Sequence, residues 1–173
     1  MSAARAAPAW SRAAAGAARA HDLLTEAGLR LAMLALAGIV LAYVWEVVAR
    51  YALGAPTRWS ADLVSYLLLF VAFMAMPAVT KEGGHVAVTI LLERLSPRAL
   101  RLVTALIGLS GCAVCLFLAK IAADETARQF ARDVRMMAAW PAPKGWISVW
   151  VVYGFLSSAL YFARAAAARG ARG

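Results

Sequence analysis

Four apolar stretches, each about long enough to cross a bilayer, dominate the sequence and restrict what it can fold into. They cover residues 29–49, 61–80, 102–119 and 146–163. A helix needs about 20 mostly apolar residues to cross a hydrocarbon core about 30 Å thick. Because lipid offers no hydrogen-bond partners, each stretch must satisfy its own backbone groups, which favours helices. The sequence therefore predicts an all-α integral membrane protein with four transmembrane helices.

The composition agrees with this class of protein. Of the 173 residues, 64% are hydrophobic and 16% are charged, and the mean hydropathy is +0.71. A net charge of +9 would also suit nucleic acid. The basic residues, however, lie in the tails and loops between the apolar stretches, where they meet lipid headgroups. We therefore expect the lipid bilayer as a partner and no nucleic acid.

Both ends of the chain are basic, which divides it into three parts. These are an Ala/Arg-rich tail at residues 1–28, a membrane domain at 29–165 and a short basic tail at 166–173. We expect the first 22 residues to be loosely ordered, although an Arg-rich, acid-poor start also suits a mitochondrial presequence. Four spans place both termini on one side, which carries eleven Lys and Arg residues against seven on the other. By the positive-inside rule, both termini are predicted to be cytoplasmic.

The turn between the first two stretches carries two acid–base pairs. Glu46 and Arg50 lie four residues apart, and so do Arg58 and Asp62. On a helix this spacing places both side chains on one face. Trp59 follows Arg58, at a position where aromatic side chains anchor at the membrane interface. We expect structural pairing at this turn, and a proton- or ion-handling role for Glu46 is the alternative.

Two segments outside these stretches carry helical polar patterns. Residues 86–95 are amphipathic but too short and too charged to cross the bilayer, so they are predicted to form a helix along its surface. After the third stretch, polar residues recur every three or four positions, which predicts one extended helix from 102 to 137, about 54 Å long. The part beyond the bilayer is either a solvated face or a docking surface. Its polar stripe consists of Lys120, Asp124, Arg128, Arg132 and Arg135.

The sequence offers little that suggests catalysis. Cys112 and Cys115 form a C-A-V-C within the third stretch, where apolar surroundings oppose thiol reactivity. Close packing against a neighbouring helix, helped by Gly108 and Gly111, is the favoured interpretation. His85 has no second histidine or cysteine near it in sequence to complete a metal site. We expect no enzyme activity, no cofactor and no bound metal.

One stretch carries the pattern of a known family. Arg50 begins R-Y-A-L-G-A-P-T-R-W-S-A-D, and K-E-G-G-H-V follows the second apolar stretch. This arrangement resembles the small membrane (Q-type) subunit of tripartite ATP-independent periplasmic (TRAP) transporters. The chain departs from the family pattern at Asp62, where Glu is usual, and at Thr89, where Asp is usual. The matching positions are Arg50, Gly54, Trp59, Asp62, Lys81, Gly83 and His85.

The resemblance implies a sodium-coupled, binding-protein-dependent secondary transporter for an organic anion, of the carboxylate or sugar-acid type, in the bacterial inner membrane. A large permease subunit would hold the substrate and sodium sites, and a periplasmic protein would deliver the substrate. The small subunit would brace the large one and help to dock the binding protein. Two alternatives stay open: a four-span thiol/quinone redox protein using Cys112 and Cys115, and an autonomous small carrier. Our docking hypothesis for the outer side names Arg128, Arg132, Arg135 and Lys144.

Overall fold

The computed structural model describes residues 9–83, 96–136 and 143–170, and most of these residues are helical. All four helices contain a segment long and apolar enough to cross a membrane, and the described residues form no named strand. The all-α membrane architecture predicted from the sequence is therefore confirmed. The helices are α1 (Ala9–Tyr51), α2 (Ser60–Lys81), α3 (Pro97–Ala131) and α4 (Lys144–Gly170).

Helix α1 begins well before the apolar stretch that predicted it. The sequence suggested a loosely ordered tail up to about residue 22, but the helix already starts at Ala9. The side chains of His21 and Asp22 make hydrogen bonds to α4, which gives this part of α1 a tertiary contact. Such contacts stabilise a helix more than its local propensity does. Residues 1–8 lie outside the described part of the chain.

A narrow seam of mostly small side chains packs α1 against its neighbours. The buried positions recur at steps of three and four, with one step of seven, which is the spacing of helices packed side by side. Small residues in such a seam let two backbones approach closely in a membrane. Away from the seam, large side chains such as Leu34 and Leu41 stay exposed, as lipid requires. The buried positions are Thr25, Gly28, Ala32, Ile39, Ala42, Glu46 and Ala49.

The four helices pack in the order α1, α2, α4, α3. The closely packed pairs are α1 with α2, α2 with α4, and α4 with α3. Ile39 and Ala42 of α1 form a small core with Val64 of α2. Gly111 of α3 lies so close to α4 that a Cβ atom there would be 2.9 Å from the Phe162 ring. Helices α1 and α3 therefore lie at the two edges of a row with α2 and α4 between them, and α1 also reaches α4 through side chains in its N-terminal half.

Pro77 lies inside α2, where its ring prevents a hydrogen bond to the carbonyl oxygen of Phe73. Gly154 of α4 packs against this oxygen: a Cβ atom at position 154 would lie 2.8 Å from it. A proline in a transmembrane helix is tolerated where a neighbouring helix covers the freed carbonyl group. The absence of a side chain at Gly154 makes this cover possible.

Helix α3 is long, as predicted, but it ends six residues earlier than the pattern of the stripe indicated. It stops at Ala131, because Asp133 adopts a left-handed conformation with φ of 43°. The amide of Val134 donates to the carbonyl of Gln129 at 3.0 Å, and that of Asp133 donates to Phe130 at 3.3 Å. These two bonds form a Schellman-type helix end. The predicted helix to residue 137 is therefore wrong at its final turns.

The connection between α2 and α3 is described only at its two ends. Gly83 follows α2 with φ of 72°, a conformation that favours glycine. Ser96 caps the start of α3, and its side chain accepts a hydrogen bond from the amide of Ala99 at 3.3 Å. The predicted surface helix at residues 86–95, together with His85, lies outside the described residues.

Candidate functional site

A carboxylate at the end of α1 holds the turn between α1 and α2, and we call this group the hairpin-end cluster (Glu46, Arg50, Thr57 and Ser60). Glu46 Oε1 accepts from Arg50 Nη2 at 2.6 Å, as the sequence predicted. Its other oxygen accepts from the Thr57 amide at 3.1 Å, from the Thr57 hydroxyl, and from Ser60 Oγ at 2.9 Å. One side chain thus ties the end of α1 to the turn and to the first residue of α2.

The turn itself uses the family motif residues. Gly54 has φ of 62°, which a residue with a side chain rarely adopts. Trp59 stands immediately before α2 with 42% of its surface exposed. Asp62 lies in the first turn of α2, where a negative charge interacts favourably with the helix dipole. Arg58 precedes α2, so the helical spacing that predicted its pairing with Asp62 does not apply to it. That pair stays a prediction.

A second polar group, the α1–α4 cluster, joins the N-terminal half of α1 to the C-terminal half of α4. Asp22 accepts from Arg164 Nη1 at 2.6 Å and from the Tyr161 hydroxyl at 3.0 Å. A hydrogen bond of 2.7 Å joins His21 Nε2 to Ser157 Oγ. The His21 and Tyr161 rings lie 4.4 Å apart, and the Arg164 guanidinium lies 5.1 Å from the Tyr161 ring centre. Two adjacent residues of α1 thus bind three residues of α4.

Sequence reasoning missed this cluster. The sequence pattern places Asp22 in the predicted tail and Arg164 among the basic residues after the last span. The partners are 142 positions apart in the chain, so no local spacing reveals the pairing. The only signal is that Tyr161 and Arg164 lie three residues apart, on one face of a helix.

The α3–α4 turn brings together three of the four predicted docking residues, which we call the α3–α4 tip (Arg132, Arg135 and Lys144). Arg132 caps α3, and Arg135 forms a bridge with Pro143. The amide of Lys144 donates to Val134 at 3.0 Å, which fixes the start of α4 beside the end of α3. Arg135 also pairs with Asp133 at 3.2 Å.

Arg128, the fourth predicted docking residue, belongs to a different group inside α3, which we call the charged band. Here Lys120 pairs with Asp124 at 3.3 Å, and Arg128 pairs with Glu125 at 3.4 Å. The band carries two positive and two negative charges, so its net charge is zero. The predicted polar stripe already included Asp124, and in this part of α3 each base has an acid beside it.

Comparison with protein families decides the class of the chain. The model of the "Tripartite ATP-independent periplasmic transporters, DctQ component" family matches residues 39–173. The chain belongs to this family. None of the curated proteins compared with the chain matches it. The match confirms the resemblance seen in the sequence: this is the small permease component of a TRAP transporter and a multi-pass membrane protein, and it works with the DctM and DctP components.

The described motif residues of this DctQ component lie at the two ends of α2. Arg50, Gly54, Trp59 and Asp62 stand around the α1–α2 turn, whereas Lys81 and Gly83 stand at the other end. The 22 residues of α2 separate the two groups by about 33 Å at about 1.5 Å per residue. The motif therefore marks both ends of one span rather than a single site.

The cysteines of the DctQ component lie on the side of α3 that packs against α4. Cys115 is buried at 6% exposure, Cys112 is half-buried, and neither forms a disulfide. Gly108, one turn before Cys112, lies against Ala166 of α4. This placement suits small side chains in a helix–helix contact and gives the thiol/quinone alternative no support.

The α1–α4 cluster yields a prediction. Replacing Asp22 and Arg164 with alanine, singly and together, should give a coupling energy of about 1 kcal/mol, the upper end for partly exposed ion pairs. The Glu26–Arg30 pair is the matched control, because it is exposed and lies within α1, where such pairs contribute about 0.3–0.5 kcal/mol. Unfolding of the purified variants in detergent measures both cycles. A coupling at positions 22 and 164 below that of the control contradicts a tertiary role.

Proposed function

We propose that this DctQ component serves a sodium-coupled, binding-protein-dependent importer of an organic anion, of the carboxylate or sugar-acid type. The substrate and sodium sites lie on the large permease subunit. The chain spans the bacterial inner membrane with both termini in the cytoplasm, braces the large subunit, and helps to dock the periplasmic binding protein. The family match is the observation that carries the proposal.

The bracing role is supported by how α1 is held. The hairpin-end cluster joins α1 to α2 through Glu46, and the α1–α4 cluster joins α1 to α4 through Asp22. These two carboxylates lie 24 residues apart, about 36 Å along the helix. Between them the seam of α1 is apolar or small. A helix held by polar contacts at both ends of a span is suited to a rigid scaffold.

The proposal is tested by purifying the chain, with a tag at its C-terminus, from gently solubilised native membranes. A large multi-span permease should be recovered in equal amount, and deleting the chain should abolish uptake through that permease. If the chain is recovered alone and catalyses uptake in vesicles by itself, the autonomous-carrier alternative replaces the proposal. Thiols that react with a membrane-impermeant maleimide from outside would support the redox alternative, since burial at Cys115 opposes such reactivity.

The docking role gives a separate prediction, which rests mainly on the α3–α4 tip. Changing Arg132, Arg135 and Lys144 to Glu should weaken binding of the periplasmic protein to the reconstituted complex at least tenfold. Replacement by Gln should have a smaller effect, and added salt should weaken wild-type binding, because exposed charges act through screened attraction. Removing positive charge from the outer side also leaves the predicted orientation favoured. Unchanged binding, also after adding Arg128→Glu, removes the docking role.

A further inference from the structure

The helices α3 and α4 are packed in a register that places their apolar stretches at different depths. Gly111 lies against Phe162 near one end of the contact, and Gly145 lies against Phe130 near the other. Between these points the two helices run antiparallel over 19 residues of α3, about 28 Å. Interpolation between the two contacts places Lys120 opposite Gly154 and Phe155. Lys120 is therefore level with the middle of the apolar stretch 146–163 of α4.

The level of Lys120 is also close to the middle of the membrane span of α2. Phe73 of α2 contacts Phe155 with ring centres 5.4 Å apart, and it packs against Gly154. Phe73 is close to the centre of the apolar stretch 61–80. Lys120 also lies 11 residues before the end of α3, about 16 Å along the helix. The charged band thus begins at the mid-depth of two membrane spans and not beyond the bilayer.

The side chains of the charged band are exposed, and only Glu125 among them accepts a hydrogen bond from Gln129, the buried residue that binds Ser148 of α4. Lys120 is 77% exposed and Asp124 is 57% exposed, and Glu125 and Arg128 are also exposed. Ionisable side chains at this depth are rare in lipid and instead face protein or a water-filled cavity. Because α3 lies at an edge of the helix row, nothing in the described chain covers this side of it. A cover from outside the described residues is required.

An apolar groove of about 480 Å³ runs beside the charged band, between α3 and α4. Ala127 and Phe130 line it on one side, and Val152 and Leu156 on the other. Ala127 is exposed and lies three residues after Asp124, on the neighbouring part of the same helix face. The surface therefore offers an apolar slot next to paired charges. A transmembrane helix with large apolar side chains and a few polar groups on one face would match both features.

We propose that the charged band and this groove form the surface that binds a transmembrane helix of the large permease subunit. The inference rests on the proposed function, and it assigns the contact to the α3 edge of the row rather than to the α1 edge. The α1 edge exposes Leu34, Leu36 and Leu41, which suit lipid. Its exposed ion pair, Glu26–Arg30, flanks Gly28, which lies against Met74 of α2 and Tyr153 of α4 and therefore at a similar depth. A groove of about 450 Å³ lies beside this pair too. The α3 edge differs in that it holds two exposed ion pairs, with four charges in all.

The first experiment places a photo-crosslinking amino acid at Ala127, or at Leu34 on the α1 edge, in the complex in native membranes. Irradiation should join position 127, and not position 34, to the large subunit. Crosslinks to that subunit from position 34 alone, or from position 127 only to lipid or to the binding protein, overturn the proposal. Co-purification of the unlabelled wild-type chain with the large subunit is scored separately. Its failure would instead reject the proposed function.

The second experiment exchanges the charges of one pair without removing it. The double variant Lys120→Asp, Asp124→Lys keeps an ion pair and places the acid nearer the helix N-terminus, the better order for an isolated helix. Recovery of the large subunit should nevertheless fall at least fivefold, because the partner meets reversed charges. The matched control, Glu26→Arg with Arg30→Glu, changes its pair to the less favourable order and should leave recovery unchanged. Equal recovery of both variants, or loss with the control alone, contradicts the proposal.

Discussion

Replacing Gly154 with alanine is expected to destabilise the protein by about 1–3 kcal/mol, the usual effect of forcing extra atoms into a packed interior. The new Cβ atom would lie 2.8 Å from the carbonyl oxygen of Phe73, 2.9 Å from the Phe73 ring and 3.1 Å from the Cβ atom of Phe73. The first and last of these atoms cannot rotate away. The helices α2 and α4 must therefore separate, which also uncovers the carbonyl group that Pro77 leaves without its helical donor.

Gly38 provides the matched control for this prediction. It lies in the middle of α1, and a Cβ atom there would meet only a side-chain carbon of Leu67 at 3.6 Å, an ordinary contact. Both substitutions gain about 0.8–1 kcal/mol of helix propensity, so the difference between the two variants isolates the steric effect. Thermal unfolding in detergent, followed by circular dichroism, measures it. Equal stability of the two variants would show that α2 and α4 do not need the glycine.

The existence and type of the helices could be predicted because the bilayer imposes one requirement on every span. A long apolar stretch in lipid must bond its own backbone, so hydropathy alone identified all four helices. The Glu46–Arg50 pair was equally accessible, since it depends only on the geometry within one helix. The motif glycines were visible as well. The structure adds that Gly54 and Gly83 both have positive φ angles, which is why glycine suits these turns.

The ends of the helices and the contacts between them could not be predicted in the same way. Asp133 ends α3 by adopting a left-handed conformation, which Asp tolerates but does not require. Asp22 binds Arg164 only because α4 returns to the start of α1. The register of α3 against α4 depends on which residues approach closely, such as Gly111 and Gly145. None of these follows from a pattern within one segment.

The register also changes how the polar stripe of α3 is understood. From the sequence, the stripe predicts a helix that projects beyond the bilayer, with a solvated face or a docking surface, because charged residues follow the apolar stretch. Packing against α4 shows that its first charges stand beside the middle of a neighbouring span, whereas Arg132 and Arg135 stand at the end of the hairpin. One sequence feature thus separates into two surfaces at different depths. We assign the deeper one to a membrane partner and the outer one to a soluble partner.

Replacing Glu46 with glutamine is expected to loosen the α1–α2 turn. Both oxygens of the carboxylate accept hydrogen bonds, whereas only one end of a glutamine amide can accept and the other end donates. Arg50 donates to one oxygen, while Thr57 and Ser60 donate to the other. A glutamine must turn its NH₂ group toward one of these two sets. If it faces Ser60, which is 4% exposed, the buried hydroxyl loses its acceptor, at a cost of about 1–3 kcal/mol. If it faces Arg50, two donors oppose each other, and the ion pair with Arg50 is lost in either orientation because glutamine is neutral.

The matched control is Glu26→Gln, which makes the same change in the same helix. Glu26 also pairs with an arginine four residues later, but both side chains are more than half exposed and the carboxylate joins no turn. This variant should stay within about 0.5 kcal/mol of the wild type. Unfolding of both variants, with protease cleavage in the 51–59 turn as a second readout, distinguishes the two positions. Faster cleavage of the Glu46 variant alone is expected, since the Thr57 amide and hydroxyl are then released from α1. Indistinguishable cleavage would mean that the turn is held by its backbone bonds, such as that from the Ala55 amide to Ala49, and not by Glu46.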